Sequence, residues 1–358
     1  MALRTMVVDD TVTYRKILSD VLREIPGIEV IGAAASGAIA LKKIGPEKVQ
    51  LVLLDVYMPD MDGVETLKRI KAEFPDVIVV MVSGISTRNA DITVEALSLG
   101  AVDFVRKPDG PDAASNFARL KSNITSVLRY VNLRDLPSGA VGKAGEPAAD
   151  RPAAPEPRRI AAPPRSFGVC AIGVSTGGPE ALTRIVPAFS GPLSVPILCV
   201  QHMPPVFTKS LAESLAKKSR MPVVEAQDNQ RVEPGVMYIA QGGHHMVVRS
   251  QDGGVVVGIN DEPPENSCRP AVDVLFRSVA AAYGDRGVLA VVLTGMGSDG
   301  CSGMRALKRR GCYCITQSER SCVVYGMPRA VDEAGLSDKS VALEEIPREI
   351  EILVGKRL

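Results

Sequence analysis

Leu51-Val52-Leu53-Leu54-Asp55-Val56-Tyr57-Met58-Pro59-Asp60-Met61-Asp62-Gly63 runs from four consecutive apolar residues into an acid, then a proline and a glycine. An apolar run without polar alternation reads as a strand buried on both faces of a parallel sheet. The pattern repeats outward on both sides. Residues 3–8, 28–34, 77–82 and 101–105 read as further strands, and residues 11–25, 37–44, 87–97 and 112–131 as helices between them. Val64, Leu67, Ile70 and Phe74 share one face of another helix. Apolar strands alternating with amphipathic helices predict a five-stranded parallel α/β sheet of the flavodoxin-like kind, whose functional edge lies at the carboxyl ends of the strands.

Acids collect at that edge. Asp9 and Asp10 close the first strand and Asp55 the third; Ser83 closes the fourth, and Lys107-Pro108 follows the fifth. Acids after strands often do no more than cap helices, which accounts for one pair but not for the set. Three converging carboxylates repel one another, and a hard divalent cation resolves that repulsion. An aspartate beside bound Mg²⁺, with a hydroxyl and a lysine nearby, can accept a phosphoryl group. Val8-Asp9-Asp10, the stretch from Leu54 to Gly63 and Lys107-Pro108 resemble response-regulator receiver domains. The resemblance implies Asp55 as phospho-acceptor, Asp9, Asp10 and Asp55 as the Mg²⁺ acids, Ser83 as switch hydroxyl, Phe104 as switch aromatic and Lys107 as phosphate contact.

Residues 134–166 are dominated by Ala, Pro and Gly and hold too little apolar surface to offset their ordering entropy, so they read as a semi-stiff linker. The expected organisation is residues 1–133, this linker, and a second domain over 167–358. Lys+Arg is 42 and Asp+Glu 41, which argues against a nucleic-acid binder. No apolar run is long enough for membrane insertion, and the N-terminus has no signal-peptide layout. The seven cysteines all lie beyond residue 169 without framework spacing, which fits reduced thiols in a cytoplasmic protein. Aromatic residues are 4% and Trp is absent, so the core must be aliphatic.

In the second domain an apolar strand over 167–174 ends in Gly173-Val174-Ser175-Thr176-Gly177-Gly178-Pro179, and Pro179 suits the first turn of a helix. Strand, sharp glycine turn, serine and helix is a geometry that exposes a nucleophile beside backbone N–H groups. Alone the signal is weak, because Gly-Ser turns after strands are common. Histidine is scarce. His202 follows the strand at 196–200, with Gln201 and Met203-Pro204-Pro205 reading as loop, whereas His244 and His245 sit in a glycine turn that suits a structural contact. A third strand over 288–293 is followed by Thr294-Gly295-Met296-Gly297-Ser298-Asp299-Gly300. This is formally a dinucleotide fingerprint, with Glu319 near the expected ribose-binding distance, and a nucleotide-binding module without esterase activity is the rival reading. Too little chain remains for the usual pair of nucleotide-binding halves. Asp299 could instead orient His202, giving the order Ser175, His202, Asp299. Asp273 is a second candidate acid whose helix-start setting suits capping. Cys312 and Cys314 lack further metal ligands and read as buried hydrophobes. Lys308-Arg309-Arg310 closes a helix, where cations suit the dipole.

The 172–179 turn, Val200-Gln201-His202-Met203-Pro204, the stretch from Arg269 to Phe276, the 293–300 turn and Val323-Val324-Tyr325-Gly326-Met327-Pro328 together resemble the chemotaxis methylesterase family, with Cys268 and Cys301 as small departures. The resemblance implies a doubly wound, mostly parallel α/β catalytic domain. Ser175, His202 and Asp299 become the triad, and Thr176 and Met296 flank the catalytic pocket. It further implies hydrolysis of glutamate γ-methyl esters on chemoreceptors with release of methanol, with no cofactor for the ester chemistry, and in some members deamidation of glutamine. A chemotaxis histidine kinase is the implied phosphodonor, and the protein is expected to be monomeric. The receiver is expected to cover the Ser175–His202 cleft, carboxyl edge facing carboxyl edge, until Asp55 is phosphorylated.

Overall fold

The computed structural model describes residues 2–84, 87–108, 112–131 and 163–356. Most of the expected linker, 132–162, lies outside the described residues. The first unit alternates β1 (Leu3–Val8), α1 (Val12–Arg23), β2 (Ile28–Ala34), α2 (Gly37–Ile44), β3 (Leu51–Asp55), α3 (Gly63–Glu73), β4 (Ile78–Ser83), α4 (Thr87–Ser98), β5 (Asp103–Arg106) and α5 (Ala113–Val131). All pairings are parallel, in the order β2-β1-β3-β4-β5. The β3 run is buried along its whole length, as its uninterrupted apolar sequence requires. Met6, Val52, Leu54, Val79 and Met81 fill one side of the sheet, and Val7, Leu51, Leu53, Val80 and Val82 the other.

The second unit begins β6 (Val169–Val174), α6 (Gly178–Ile185), β7 (Ile197–Gln201), α7 (Phe207–Lys218), β8 (Val223–Glu225) and β9 (Met237–Ile239). A hairpin follows, β10 (His245–Gln251) and β11 (Gly254–Asn260). The remainder is α8 (Val272–Tyr283), β12 (Val288–Val292), α9 (Cys301–Lys308), β13 (Tyr313–Gln317), α10 (Met327–Glu333), β14 (Lys339–Val341) and α11 (Ile346–Val354). Seven strands form one sheet in the order β14-β13-β12-β6-β7-β9-β8. Every pairing in it is parallel, so the sheet is wholly rather than mostly parallel, and the antiparallel hairpin stands apart. Gln201, expected in a loop, is the last residue of β7. The chain leaves β6 towards β7 on one side and reaches β12 on the other. Ligand sites of open α/β sheets form at such a reversal, outside the carboxyl ends of the strands.

The two units pack together through α4, which lies against α6 and α7. Phe104 stacks on Phe207 with ring centroids 4.6 Å apart, and Ser98 and Thr183 share a hydrogen bond of 3.1 Å. The receiver therefore meets the second unit with the end of α4 and the start of β5. This corrects the expected contact between two carboxyl edges: the acids at the carboxyl ends of β1 and β3 sit at the other end of β5.

Gly63 opens α3 directly under β3. A Cβ there would stand 2.2 Å from the Asp55 carbonyl oxygen and 2.9 Å from Val56 Cα, both backbone atoms that cannot swing aside. Gly63→Ala is expected to destabilise the first unit by about 1–3 kcal/mol, the usual range for overpacking, read as a lower denaturant midpoint.

Candidate functional site

Ser175, His202 and Asp299 follow β6, β7 and β12, three adjacent parallel strands in which Gly173 pairs with both Val200 and Val292. Parallel neighbours end at a common edge, so residues far apart in sequence converge. Gly177 turns the chain after Ser175 at φ 75°, and its missing side chain leaves space that Val323 occupies. The Ser175 carbonyl accepts the Gly178 N–H at 2.8 Å, and Pro179 is the second residue of α6.

His202 Nε2 lies 2.8 Å from Asp299 Oδ2. Asp299 also accepts the N–H groups of Val272, Asp273 and Gly300 at 2.7, 3.0 and 3.0 Å, and the Asn266 amide at 2.9 Å. Burial opposes its charge, yet His202 and these donors hold the carboxyl below the ordinary carboxylate range. Burial likewise opposes protonation of His202, but the bonds to Asp299 and Cys268 push its pKa up to about 9. An ionised Asp299 accepts at Nε2, so Nε2 carries the proton and Nδ1 is the basic nitrogen. Nδ1 stands 3.5 Å from Cys268 Sγ. Among the described residues Ser175 and His202 line one small cavity without a hydrogen bond between their side chains.

Thr176 follows Ser175 directly, and Met296 follows Gly295, where a Cβ would stand 2.8 Å from Ser175 Cβ. Among the described residues neither of their backbone N–H groups has a backbone partner, so both are available as donors. The 294–300 turn is filled. A Cβ on Gly295 would meet Met327 Sδ at 2.4 Å and Ser175 Cβ at 2.8 Å, and the Gly295 carbonyl accepts the N–H groups of Gly326 and Met327. Carboxylates already occupy the start of α9, Asp299 on Gly300 N–H and Asp273 on Gly303 N–H. A pyrophosphate has no room there, which removes the basis of the nucleotide reading. Asp273 does not reach His202: its second oxygen accepts the Asn266 amide at 3.0 Å. Buried His245 accepts the Ala271 N–H and faces the Pro263 carbonyl, while His244 pairs with Asp261. Cys312 and Cys314 are buried, and burial pushes the Cys312 thiol up to about 12.

The receiver closes this cleft. A cavity of about 40 Å³ lies between Ser175, Thr176 and His202 on one side and Val102, Asp103 and Phe104 on the other. Thr176 Oγ1 donates to Asp103 Oδ2 at 2.9 Å, and Asp103 Oδ1 accepts the Phe104 N–H at 2.8 Å. Burial pushes the Asp103 pKa up to about 6. Asp103, Asn266 and Phe207 have no place in the sequence reading, and Cys268 enters it only as a small departure. Only Asp103 carried a signal, as an acid heading an otherwise apolar strand beside the switch aromatic.

At the other end of the receiver, carboxylate oxygens of Asp9, Asp10 and Asp55 lie within 4.8 Å of one another. Lys107 Nζ bridges Asp9 and Asp55 at 2.8 Å each and sits 4.5 Å over the Tyr14 ring. Burial raises the Asp55 pKa to about 6 against the pull of Lys107, as crowded carboxylates require. Such a hard, all-oxygen donor set fits Mg²⁺. Ser83 accepts the Thr93 hydroxyl at 3.0 Å and donates to the Gly84 carbonyl at 3.1 Å.

Residues 170–350 match the family described as CheB methylesterase, and residues 5–116 the response regulator receiver domain. A protein of Desulfotalea psychrophila named protein-glutamate methylesterase/protein-glutamine glutaminase is 46% identical, over 97% of each chain. A protein of the same name from Geobacillus kaustophilus is 41% identical over 99% of each chain. The crystal structure of the Thermotoga maritima CheB methylesterase catalytic domain is 41% identical with a TM-score of 0.51, covering 52% of this chain and 100% of that one.

The raised His202 pKa sets a pH window for stability. A group lifted from an ordinary 6.5 to about 9 contributes fully below about pH 6.5 and loses that contribution as pH climbs through about 9. Between pH 6 and pH 9.5 the denaturant midpoint should therefore fall further in the wild type than in His202→Gln. Equal falls would show that the His202–Asp299 pair does not hold its proton this way.

Proposed function

The chain belongs to the CheB methylesterase family, in the form that carries a response regulator receiver domain, and from that premise we propose that Ser175, His202 and Asp299 perform its ester hydrolysis while the receiver occludes them. The protein is a receiver-controlled protein-glutamate methylesterase of chemotaxis signalling. Its substrates are chemoreceptor glutamate γ-methyl esters, and its products are methanol and the glutamate carboxylate.

The His202–Asp299 hydrogen bond of 2.8 Å, beside Ser175 at the shared strand edge, is the observation that carries this reading. In the reaction the neutral form of His202, the minor form below its pKa of about 9, removes the Ser175 proton through Nδ1 as Oγ attacks the ester carbonyl. The N–H groups of Thr176 and Met296 receive the developing oxyanion, an effect worth ~3–4 kcal/mol per donor at most. His202 returns the proton to the departing methanol. Water then attacks the acyl-enzyme by the same route in reverse. Asp299 stays ionised throughout, fixes the Nε2–H tautomer and balances the imidazolium. The same steps hydrolyse a glutamine side-chain amide, with ammonia as the leaving group.

Control resides in the receiver. Asp55 is the phospho-acceptor, and Asp9, Asp10 and Asp55 would hold Mg²⁺, which when bound neutralises phosphoryl charge. Lys107 contacts the phosphoryl oxygens, while Ser83 and Phe104 form the switch. The phosphodonor is a histidine kinase. A cavity of about 40 Å³ between the units has room for about one water and none for a glutamyl ester, so the receiver must move before substrate can enter.

Ser175→Ala and His202→Ala should each lower turnover by roughly 10³-fold or more with the fold intact, and the double variant should be scarcely worse, because triad members act as a unit. Methanol release from methylated receptors measures this; substantial turnover in Ser175→Ala would sink the assignment.

Asp103→Ala should raise the basal rate of the unphosphorylated chain, and Asp55→Asn should abolish its response to phosphodonor and Mg²⁺. The fragment 167–358 should be faster than the unphosphorylated full chain and indifferent to phosphodonor. A folded but slower fragment would mean that the receiver activates the catalytic unit directly.

A further inference from the structure

The side chain of Gln201 lies between the two residues that the reaction brings together. Gln201 is 2% exposed at the end of β7. Its Nε2 donates to the Ser175 carbonyl at 3.0 Å and to the His202 carbonyl at 3.2 Å. The nitrogen must be the end that faces them, because an amide oxygen there would meet acceptors only. One planar group thus ties the backbone of the loop after β6 to the backbone of the loop after β7.

The other end of the amide is unsatisfied. Gln201 Oε1 is buried and, among the described residues, has no hydrogen-bond partner. It rests against Gly178, where a Cβ would stand 1.9 Å away, so glycine at the start of α6 is what lets the amide lie flat. A buried acceptor without a donor costs stability, and an apolar side chain of similar size would avoid that cost. Gln317, the corresponding residue at the end of β13, makes the contrast. Its Oε1 accepts the Thr294 N–H at 2.8 Å and its Nε2 donates to the Ser321 carbonyl at 2.6 Å, so it braces its loop with both ends satisfied. Bracing alone does not require an orphaned oxygen. Gln201 keeps one because its nitrogen is committed to Ser175 and His202.

We propose that Gln201 is a positioning residue for the hydrolysis, its amide fixing the Ser175 and His202 backbones relative to each other so that the hydroxyl and Nδ1 can meet. This rests on the reading of Ser175 and His202 as nucleophile and base. Gln201 touches no reacting atom. It governs the separation of two residues whose side chains are not hydrogen-bonded while the receiver is docked, and that separation must close for proton transfer. The amide holds both carbonyls without using any atom of either side chain, so it leaves the Ser175 hydroxyl free and the His202 ring to its bond with Asp299.

The test uses the full chain activated with phosphodonor and Mg²⁺, comparing wild type, Gln201→Met, Gln201→Asn and Ser175→Ala. Met keeps volume and burial but loses both donors. Asn, one methylene shorter, reaches one carbonyl at most. Gln201→Met should retain its melting temperature and its KM within twofold, with kcat lower by roughly 10- to 100-fold. Labelling of Ser175 by a serine-reactive phosphonate should slow in parallel. Gln201→Asn should fall between Met and wild type, and it decides the matter if the Met variant does not fold. A folded Gln201→Met or Gln201→Asn with kcat within twofold of wild type overturns the positioning role, as does a loss that merely follows the unfolded fraction. If Ser175→Ala is inactive while the Gln201 variants are unimpaired, this inference alone fails. Activity surviving in Ser175→Ala overturns the reading beneath it as well.

Discussion

Asp299 is a buried carboxylate, and the architecture around it exists to keep it charged. A lone carboxylate taken out of water would protonate, since the penalty for burying an uncompensated ion exceeds what its surroundings normally return. Five donors prevent that: His202, the N–H groups of Val272, Asp273 and Gly300, and the Asn266 amide. The start of α8 and the approach to α9 aim at one atom group, and the positive ends of both helices add to the effect. Asn266 bridges Asp299 to Asp273, whose other oxygen caps α9 from across the cleft. The pair of acids therefore divides its work. Asp273 fastens two helices together, and Asp299 faces the histidine with its charge intact. Both acids gather at the same helix starts, but only Asp299 reaches His202.

Much of this was legible in the chain. The apolar runs that lead into Asp55 and Ser175, and into the turns that carry His202 and Asp299, carry both the parallel pairing and the gathering of polar residues at strand ends, because a strand buried on both faces leaves only its end for them. Local pattern could not show what the far side of the cleft contributes. Asp103 and Phe104 touch Thr176 and Phe207 across a gap in sequence that includes residues 132–162, and nothing in the spacing of either segment encodes their meeting. Cys268 read as a minor departure, yet it stands against Nδ1 of His202, because the loop before α8 folds back over the histidine. The short strands β8, β9 and β14 have three residues each, too few to display a period. Gln201 was misplaced for a related reason: a polar residue beside Met-Pro-Pro reads as loop, although its backbone still pairs with Val174 as strand.

The docking geometry fixes how the two ends of the receiver can communicate. Lys107 follows β5 and Asp103 begins it, four residues apart, or about 13 Å along an extended strand. The acids that would receive phosphate are thus separated from the cleft by the length of β5. Two connections span that distance. Register ties β5 to β4 residue by residue, from Val80 with Asp103 to Ser83 with Arg106, so the strand shifts as a unit or not at all. The second runs through Ser83, which is hydrogen-bonded to Thr93 in the middle of α4, the helix that rests on α6 and α7. A Ser83 hydroxyl that turned to donate to a phosphoryl oxygen would give up the Gly84 carbonyl and draw on its bond from Thr93. The same helix carries Ser98, which meets Thr183 of the second unit. Interfaces between domains of one chain are commonly held by small margins, so losing a few such bonds is enough to change which state is populated. Occlusion by the amino end of β5 and command from its carboxyl end are compatible because α4 reaches both.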